Sequence, residues 1–294
     1  MIHQHDKPHK ISTVLTPGSR LHPIMNPAPK ARQLFDSENA YVTSPLFSAR
    51  ILACLRLLWG FYTLFTLLFT LIWIALRVPG GASTYFSYLT RLHYTGMCAW
   101  FFASGVQTAC YAFSDGKRYP LRRWGRILQV LQDWLFSTVV TMPFTITLTF
   151  FILLRVDLDA SVPINLYSNI SMHVFNSVFA LFEILLTNDP PPAWKWLPVD
   201  VLIWGAYFGV AYITHEDVGL YPYYILDRTK VGGRGVVAAY ILGIIGVYGV
   251  TYIVVHGVVI ARQRLINRLV TTKGDDDKGE EEKCSMETSE IEAA

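Results

Sequence analysis

The sequence is short of charge. Asp, Glu, Lys and Arg make up only 16% of its 294 residues, against 52% hydrophobic residues. A soluble domain carries about a quarter charged residues, so the composition argues against a freely soluble globule. The four cysteines are few and scattered: Cys54, Cys98 and Cys110 lie in apolar segments and Cys284 lies near the C-terminus. Their spacing excludes a disulfide framework or a zinc site. Residues 1–45 are polar and contain no signal-peptide core, which leaves the first long apolar segment to act as an uncleaved anchor. The glycine-rich "VGGRG" at 231–235 has no strand before it, so a phosphate-binding loop is not supported. His215, Glu216 and Asp217 are consecutive and share no helix face, so they form no metal-ligand pattern. No metal and no cofactor is implied.

What the sequence does contain is long apolar blocks. A helix needs about 20 such residues to cross the hydrocarbon layer. Six blocks qualify, at about 51–76, 86–113, 127–154, 169–187, 197–214 and 236–260. The expected fold is an all-α integral membrane protein, a bundle of six transmembrane helices with both termini cytoplasmic. A flexible polar arm (1–48) precedes the membrane domain (49–265). A tail (266–294) follows, with nine acids against two bases from Gly274 onward, expected to be disordered and solvated.

Orientation follows from Lys and Arg, which favour the cytoplasmic side. Lys30, Arg32 and Arg50 precede the first block, Lys117, Arg118, Arg122, Arg123 and Arg126 join the second to the third, and Arg262, Arg264 and Arg268 follow the last. With six spans these regions share one side. Arg228, Lys230 and Arg234 are a counterweight on the other. The basic clusters read as topology signals and contacts to anionic lipid, not as nucleic-acid ligands. The chain's partner is then the lipid bilayer. Plasma membrane and endoplasmic reticulum or other endomembranes fit equally well, and protein partners are not specified.

The fourth block, "SNISMHVFNSVFALFEILLTND" at 168–189, carries polar residues in an apolar context. Asn169, His173, Asn176, Ala180, Glu183 and Thr187 recur at spacings of four and three, which places them on one helix face. Lipid cannot satisfy such a stripe, so it must face the bundle interior. Either it ties helices together or it lines a reaction chamber. An unpaired carboxylate at the depth of Glu183 would be costly. His173 suits proton transfer, because an imidazole titrates near neutrality. His173 and Thr90 each fall about one turn inside one end of the expected bundle, with His93, Tyr94 and His215 near by. Thr90 is one of many threonines in apolar segments, including Thr63, Thr66, Thr70, Thr138, Thr141 and Thr145, and most of these are expected to bond a carbonyl in the preceding turn. His93 and His256 read as polar packing groups.

Taken in order, these residues resemble the androgen-induced-gene and androgen-dependent-TFPI-regulating-protein family of membrane hydrolases. The matching positions are Asn169, Met172-His173 and Glu183 on the fourth block, "YLT" at 88–90, "QDW" at 132–134 followed by Pro143, and His215 followed by "GLYPY" at 219–223. The resemblance covers about residues 50–262. It implies a threonine hydrolase that cleaves fatty acid esters of hydroxy fatty acids without a cofactor, with Thr90 as nucleophile and His173 as its base. Asn169 is the candidate oxyanion donor, with a tie between helices as its alternative. Asn176, Glu183, His93, His215 and Tyr221 are candidate supporting or substrate-binding residues. The arm, the tail and His93 depart from the family pattern, which bears on substrate preference. A transporter or channel using the same polar stripe, or a non-catalytic membrane scaffold, are the competing classes. Transporters often show internal repeats and paired interrupted helices, and neither is evident here.

Overall fold

A computed structural model describes residues 35–154 and 162–292, with side chains described as far as 269. The described chain from Phe35 onward forms one compact unit. It is helical, and no strand occurs among the described residues. Six long helices follow in order: α1 (Ala49–Arg77), α2 (Leu89–Phe113), α3 (Arg126–Leu154), α4 (Pro163–Leu186), α5 (Trp196–Val218) and α6 (Arg234–Glu292). Five of them, all but α2, are long and apolar enough to cross a membrane. For α6 the apolar part is Arg234–Leu269. The chain is therefore a helical multi-pass membrane protein.

The apolar excess is carried outward. Leu58, Phe61, Phe65, Leu68 and Ile72 of α1 are all exposed, Phe61 by 61%. In water such a face would be unfavourable by about 25 cal/mol per Å² of apolar surface, whereas lipid accepts it. Polar side chains point inward instead. Thr63, Thr66, Thr70, Thr138 and Thr141 each donate to a carbonyl three or four residues back, as their sequence context predicts, whereas Thr145 donates to the Thr251 hydroxyl at 3.2 Å.

Helix α2, the one of lower hydropathy, likewise keeps polar residues inside the bundle. Thr90, His93, Ser104, Gln107 and Thr108 are buried, while Leu92, Val106 and Phe113 are exposed. It packs along α1, and Gly105 permits the close approach. A Cβ there would lie 2.9 Å from Leu57 Cδ2 and 3.2 Å from the Leu57 backbone nitrogen.

Two helices depart from α geometry beside the region of interest. Phe150–Leu154, at the end of α3, and Ile170–Phe175, in the middle of α4, are π-helical. A π turn inserts an extra residue, so the face beyond it rotates by about 100° relative to a regular α-helix. Helix α4 also starts six residues before the expected 169. Beyond Thr214, α5 continues to Val218, where Gly219 closes it with φ 72° and donates its N–H to the His215 carbonyl at 2.8 Å. Glycine takes that left-handed conformation without steric penalty. The turn sends residues 221–223 back over the bundle end.

Helix α6 runs from Arg234 to Glu292 and so includes the acidic segment that follows the apolar part. No proline lies between Arg234 and Glu292 to stop it. Residues 1–34, most of the expected N-terminal arm, and residues 155–161 lie outside the described residues.

Candidate active site

One cavity of about 390 Å³ lies at the bundle end where α2 and α4 begin and α3 finishes. Its lining includes Tyr88, Thr90 and Arg91 from the start of α2, and Phe150 and Leu154 from the π turn of α3. Asn165, Ser168, Asn169, Met172 and His173 come from α4, and Pro222, Tyr223 and Tyr224 from the segment after α5. A second, narrow space of about 30 Å³ adjoins it and shares Thr90, Leu154, His173 and Tyr223. Its other walls are almost wholly apolar, including Leu89, Ile146, Trp204 and Phe208.

Thr90 and His173 thus come together on both spaces. Their depths along the helices are not those the sequence suggested. Thr90 is the second residue of α2, whereas His173 lies ten residues after Pro163. They meet because the added first turns of α4 carry Asn165, Ser168 and Asn169 beyond the start of α2 and wall the cavity.

The backbone of His173 is held by the π segment. Its carbonyl accepts a short hydrogen bond from the Thr147 hydroxyl of α3, and that hydroxyl also pairs with Ser177 at 2.7 Å. Its ring stacks on Phe150, centroids 3.8 Å apart and planes 12° from parallel. Nδ1 has no hydrogen-bond partner among the described residues. The imidazole is therefore fixed by packing, with at least one ring nitrogen not committed to another side chain.

Thr90 differs from most of the other threonines. Its hydroxyl pairs with the Tyr223 hydroxyl at 3.1 Å instead of capping a carbonyl, and it opens on the cavity. Tyr223 is held edge-on by Tyr88, with ring centroids 5.7 Å apart. Burial pushes the Tyr223 phenol above its ordinary range, with the Thr90 bond opposing, so near neutral pH it is a protonated donor. The sequence marked Tyr221 and not Tyr223. The structure places Tyr221 in a neighbouring groove, stacked on His215 at 3.8 Å. His215 and Tyr221 do not line the cavity, although Pro222 and Tyr224 border both spaces. No signal in the sequence separates Tyr223 from Tyr221, since both belong to the same short "YPY" run.

The polar stripe of α4 divides into three parts. Asn169 and His173 line the cavity. One N–H of the Asn169 amide is engaged by the Asn165 carbonyl at 2.7 Å. Asn176 is fully buried and its amide nitrogen lies 3.4 Å from His93 Nδ1. His93 Nε2 faces the Thr138 carbonyl at 3.3 Å. A carbonyl can only accept, so Nε2 carries the proton and Nδ1 accepts from Asn176. This chain of bonds ties α2, α3 and α4 together away from the cavity.

Glu183 and Thr187 belong to a different centre. Arg56, fully buried in α1, donates Nε to Glu183 Oε1 at 3.0 Å and Nη2 to Oε2 at 2.6 Å. Nη2 also reaches Asp189 Oδ2 at 2.9 Å, while Nη1 reaches the Tyr41 carbonyl and Thr108 Oγ1. Thr187 bonds Asp189 as well. Glu183 is neither unpaired nor part of the chamber. Arg56 was overlooked in the sequence, although a single arginine inside an apolar block is itself a signal for a buried partner. Asp133 and Trp134 of "QDW" are ties too: Asp133 accepts from Tyr41 and Trp196, and Trp134 donates to Asp200. His256 bonds the Pro192 carbonyl at 2.9 Å and packs on Trp194, the packing role expected for it.

Among the described residues no group of three His, Cys, Asp or Glu side chains is arranged to hold a metal ion. The chain matches no family model, no curated protein and no solved structure.

Proposed function

We propose that the protein is an intramembrane lipid-ester hydrolase, with Thr90 as nucleophile and His173 as general base. The observation that carries this reading is the convergence of the two side chains on one cavity, where Thr90 is free of the carbonyl capping that engages most other threonines. The resemblance in motif order supports the same reaction and points to fatty acid esters of hydroxy fatty acids as substrates. Thr90 Oγ1 attacks the ester carbonyl while His173 removes its proton, directly or through one water. The tetrahedral intermediate expels the alcohol oxygen, which takes that proton, and leaves an acyl-threonine. Water, deprotonated by His173, then releases the acid. Positioned proton transfer of this kind supplies about 10²–10⁴-fold. Tyr223 is the better oxyanion donor, since its hydroxyl already lies beside Thr90 and one Asn169 N–H is engaged elsewhere.

In this reading α2 is the sixth span. Its low hydropathy comes from polar residues buried inside the bundle, and its outward residues are largely apolar. The basic loops then place both termini in the cytoplasm and the cavity in the outer half of the bilayer. The buried Arg56 and Asp200 networks occupy the opposite half with hydrogen-bonded polar groups that link the helices, which favours a closed chamber over a transporter's or channel's passage.

Labelling by a fluorophosphonate probe tests the assignment. Thr90→Ala should abolish labelling and His173→Ala should reduce it at least tenfold, while Tyr223→Phe should slow ester hydrolysis by roughly 10²–10³-fold. Labelling that survives Thr90→Ala in a folded protein removes the nucleophile. Failure of the purified protein to hydrolyse acyl esters leaves the transporter and scaffold classes.

A further inference from the structure

Arg91 follows the proposed nucleophile directly and lines the same cavity. Among the described residues it is the sole Lys or Arg on that lining, and no Asp or Glu joins it there. The ion pairs among the described residues involve Arg56 and Lys195, not Arg91. The guanidinium is nevertheless firmly placed. Nη1 donates to the Tyr85 carbonyl at 3.1 Å, and the group lies 4.3 and 4.5 Å from the ring centroids of Tyr85 and Tyr88. One of its five N–H donors is thus used by that carbonyl, and aromatic packing holds the planar fork. A cation fixed beside a polar cavity, with no acidic partner, is a receptor for an anion.

We propose that Arg91 binds the free carboxylate of an amphiphilic substrate and so selects acid-bearing esters over neutral ones. This rests on the hydrolase reading and adds a specificity determinant to it. The guanidinium fork matches a carboxylate through two parallel hydrogen bonds. A single positive charge, unaided by lysine or a second arginine on the described lining, suits a monoanion better than a phosphate monoester. The adjoining narrow space has almost wholly apolar walls, so the carbons next to the ester meet apolar side chains beside Thr90. The contact binds an existing charge and forms or breaks no bond.

The test compares a fatty acid ester of a hydroxy fatty acid with the same ester methylated at its free carboxylate. For the wild-type protein kcat/KM should favour the free acid by about 10–100-fold, the range of a charge-assisted bidentate contact. In Arg91→Gln that ratio should fall to about one, and Arg91→Lys should restore part of it. The ratio is taken within each variant, so a general loss of activity cancels. A wild-type ratio retained by folded Arg91→Gln overturns the proposal. If the wild type hydrolyses neither ester, the hydrolase reading fails separately, and binding decides the role of Arg91. Oleate should then bind nanodisc-embedded wild type at least tenfold more tightly than methyl oleate, and Arg91→Gln should lose that difference. Equal oleate binding by both proteins, or a wild-type preference for lysophosphatidate over oleate, overturns the carboxylate assignment.

Discussion

Replacing Arg56 with methionine should be among the most destabilising single changes in this protein. The guanidinium makes five hydrogen bonds, three of them to the carboxylates of Glu183 and Asp189, and all three side chains are fully buried. Removing one partner of a buried ion pair costs about 3–5 kcal/mol, because the remaining charge is left without compensation. Here two acids would be left facing each other. For a membrane domain of this size that corresponds to a fall in melting temperature of about 6–20 °C, read by a thermal scan of the detergent-solubilised protein. The stoichiometry gives a sharper check. Glu183→Gln leaves one arginine with one acid, a balanced pair, and keeps a hydrogen-bonding side chain. It should cost only about 1–2 kcal/mol. An Arg56→Met variant that melts within 2 °C of wild type, or a Glu183→Gln variant that is the less stable of the two, would refute the reasoning.

Asp189 lies outside the spans, and burial pushes its carboxyl above the usual range while Arg56 opposes that shift. A raised carboxyl holds its proton longer in the folded state than in the unfolded state. Its contribution to stability is complete below the ordinary carboxylate range near 4 and is lost as pH rises through the folded value. Asp189→Asn, which mimics the protonated form, should flatten the decline in stability above about pH 4. An unchanged pH profile in unfolding scans counts against a proton held there. Gly105→Val should separate α1 from α2, since even a Cβ would meet the Leu57 backbone nitrogen at 3.2 Å. The expected cost is about 1–3 kcal/mol, and a variant as stable as wild type would show that the helices are not in close contact.

The positions of the long helices were legible in the sequence. Observed ends such as Ala49–Arg77 and Arg126–Leu154 lie within a few residues of the expected ones, because uninterrupted apolar length is what a bilayer selects. The inward direction of the polar stripe was legible too, since lipid cannot satisfy amides and carboxylates. Thr90 and His173 could be nominated one by one, and motif order joined them.

What the stripe does was not legible. Its spacing assumes a regular α-helix, while Ile170–Phe175 is π-helical and rotates one half of α4 against the other. Sequence periodicity cannot register that extra residue. Nor could it show that Glu183 meets Arg56 across 127 positions, that Asn176 meets His93 across 83, or that Tyr223 meets Thr90 across 133. The sequence by itself determined a helical membrane protein and a short set of polar residues that had to lie inside it. Tertiary structure decided which of them share a cavity and which hold the bundle together. The reason is that hydropathy and helical period report each residue's preference along its own helix, whereas a site depends on distances between helices, which packing alone sets.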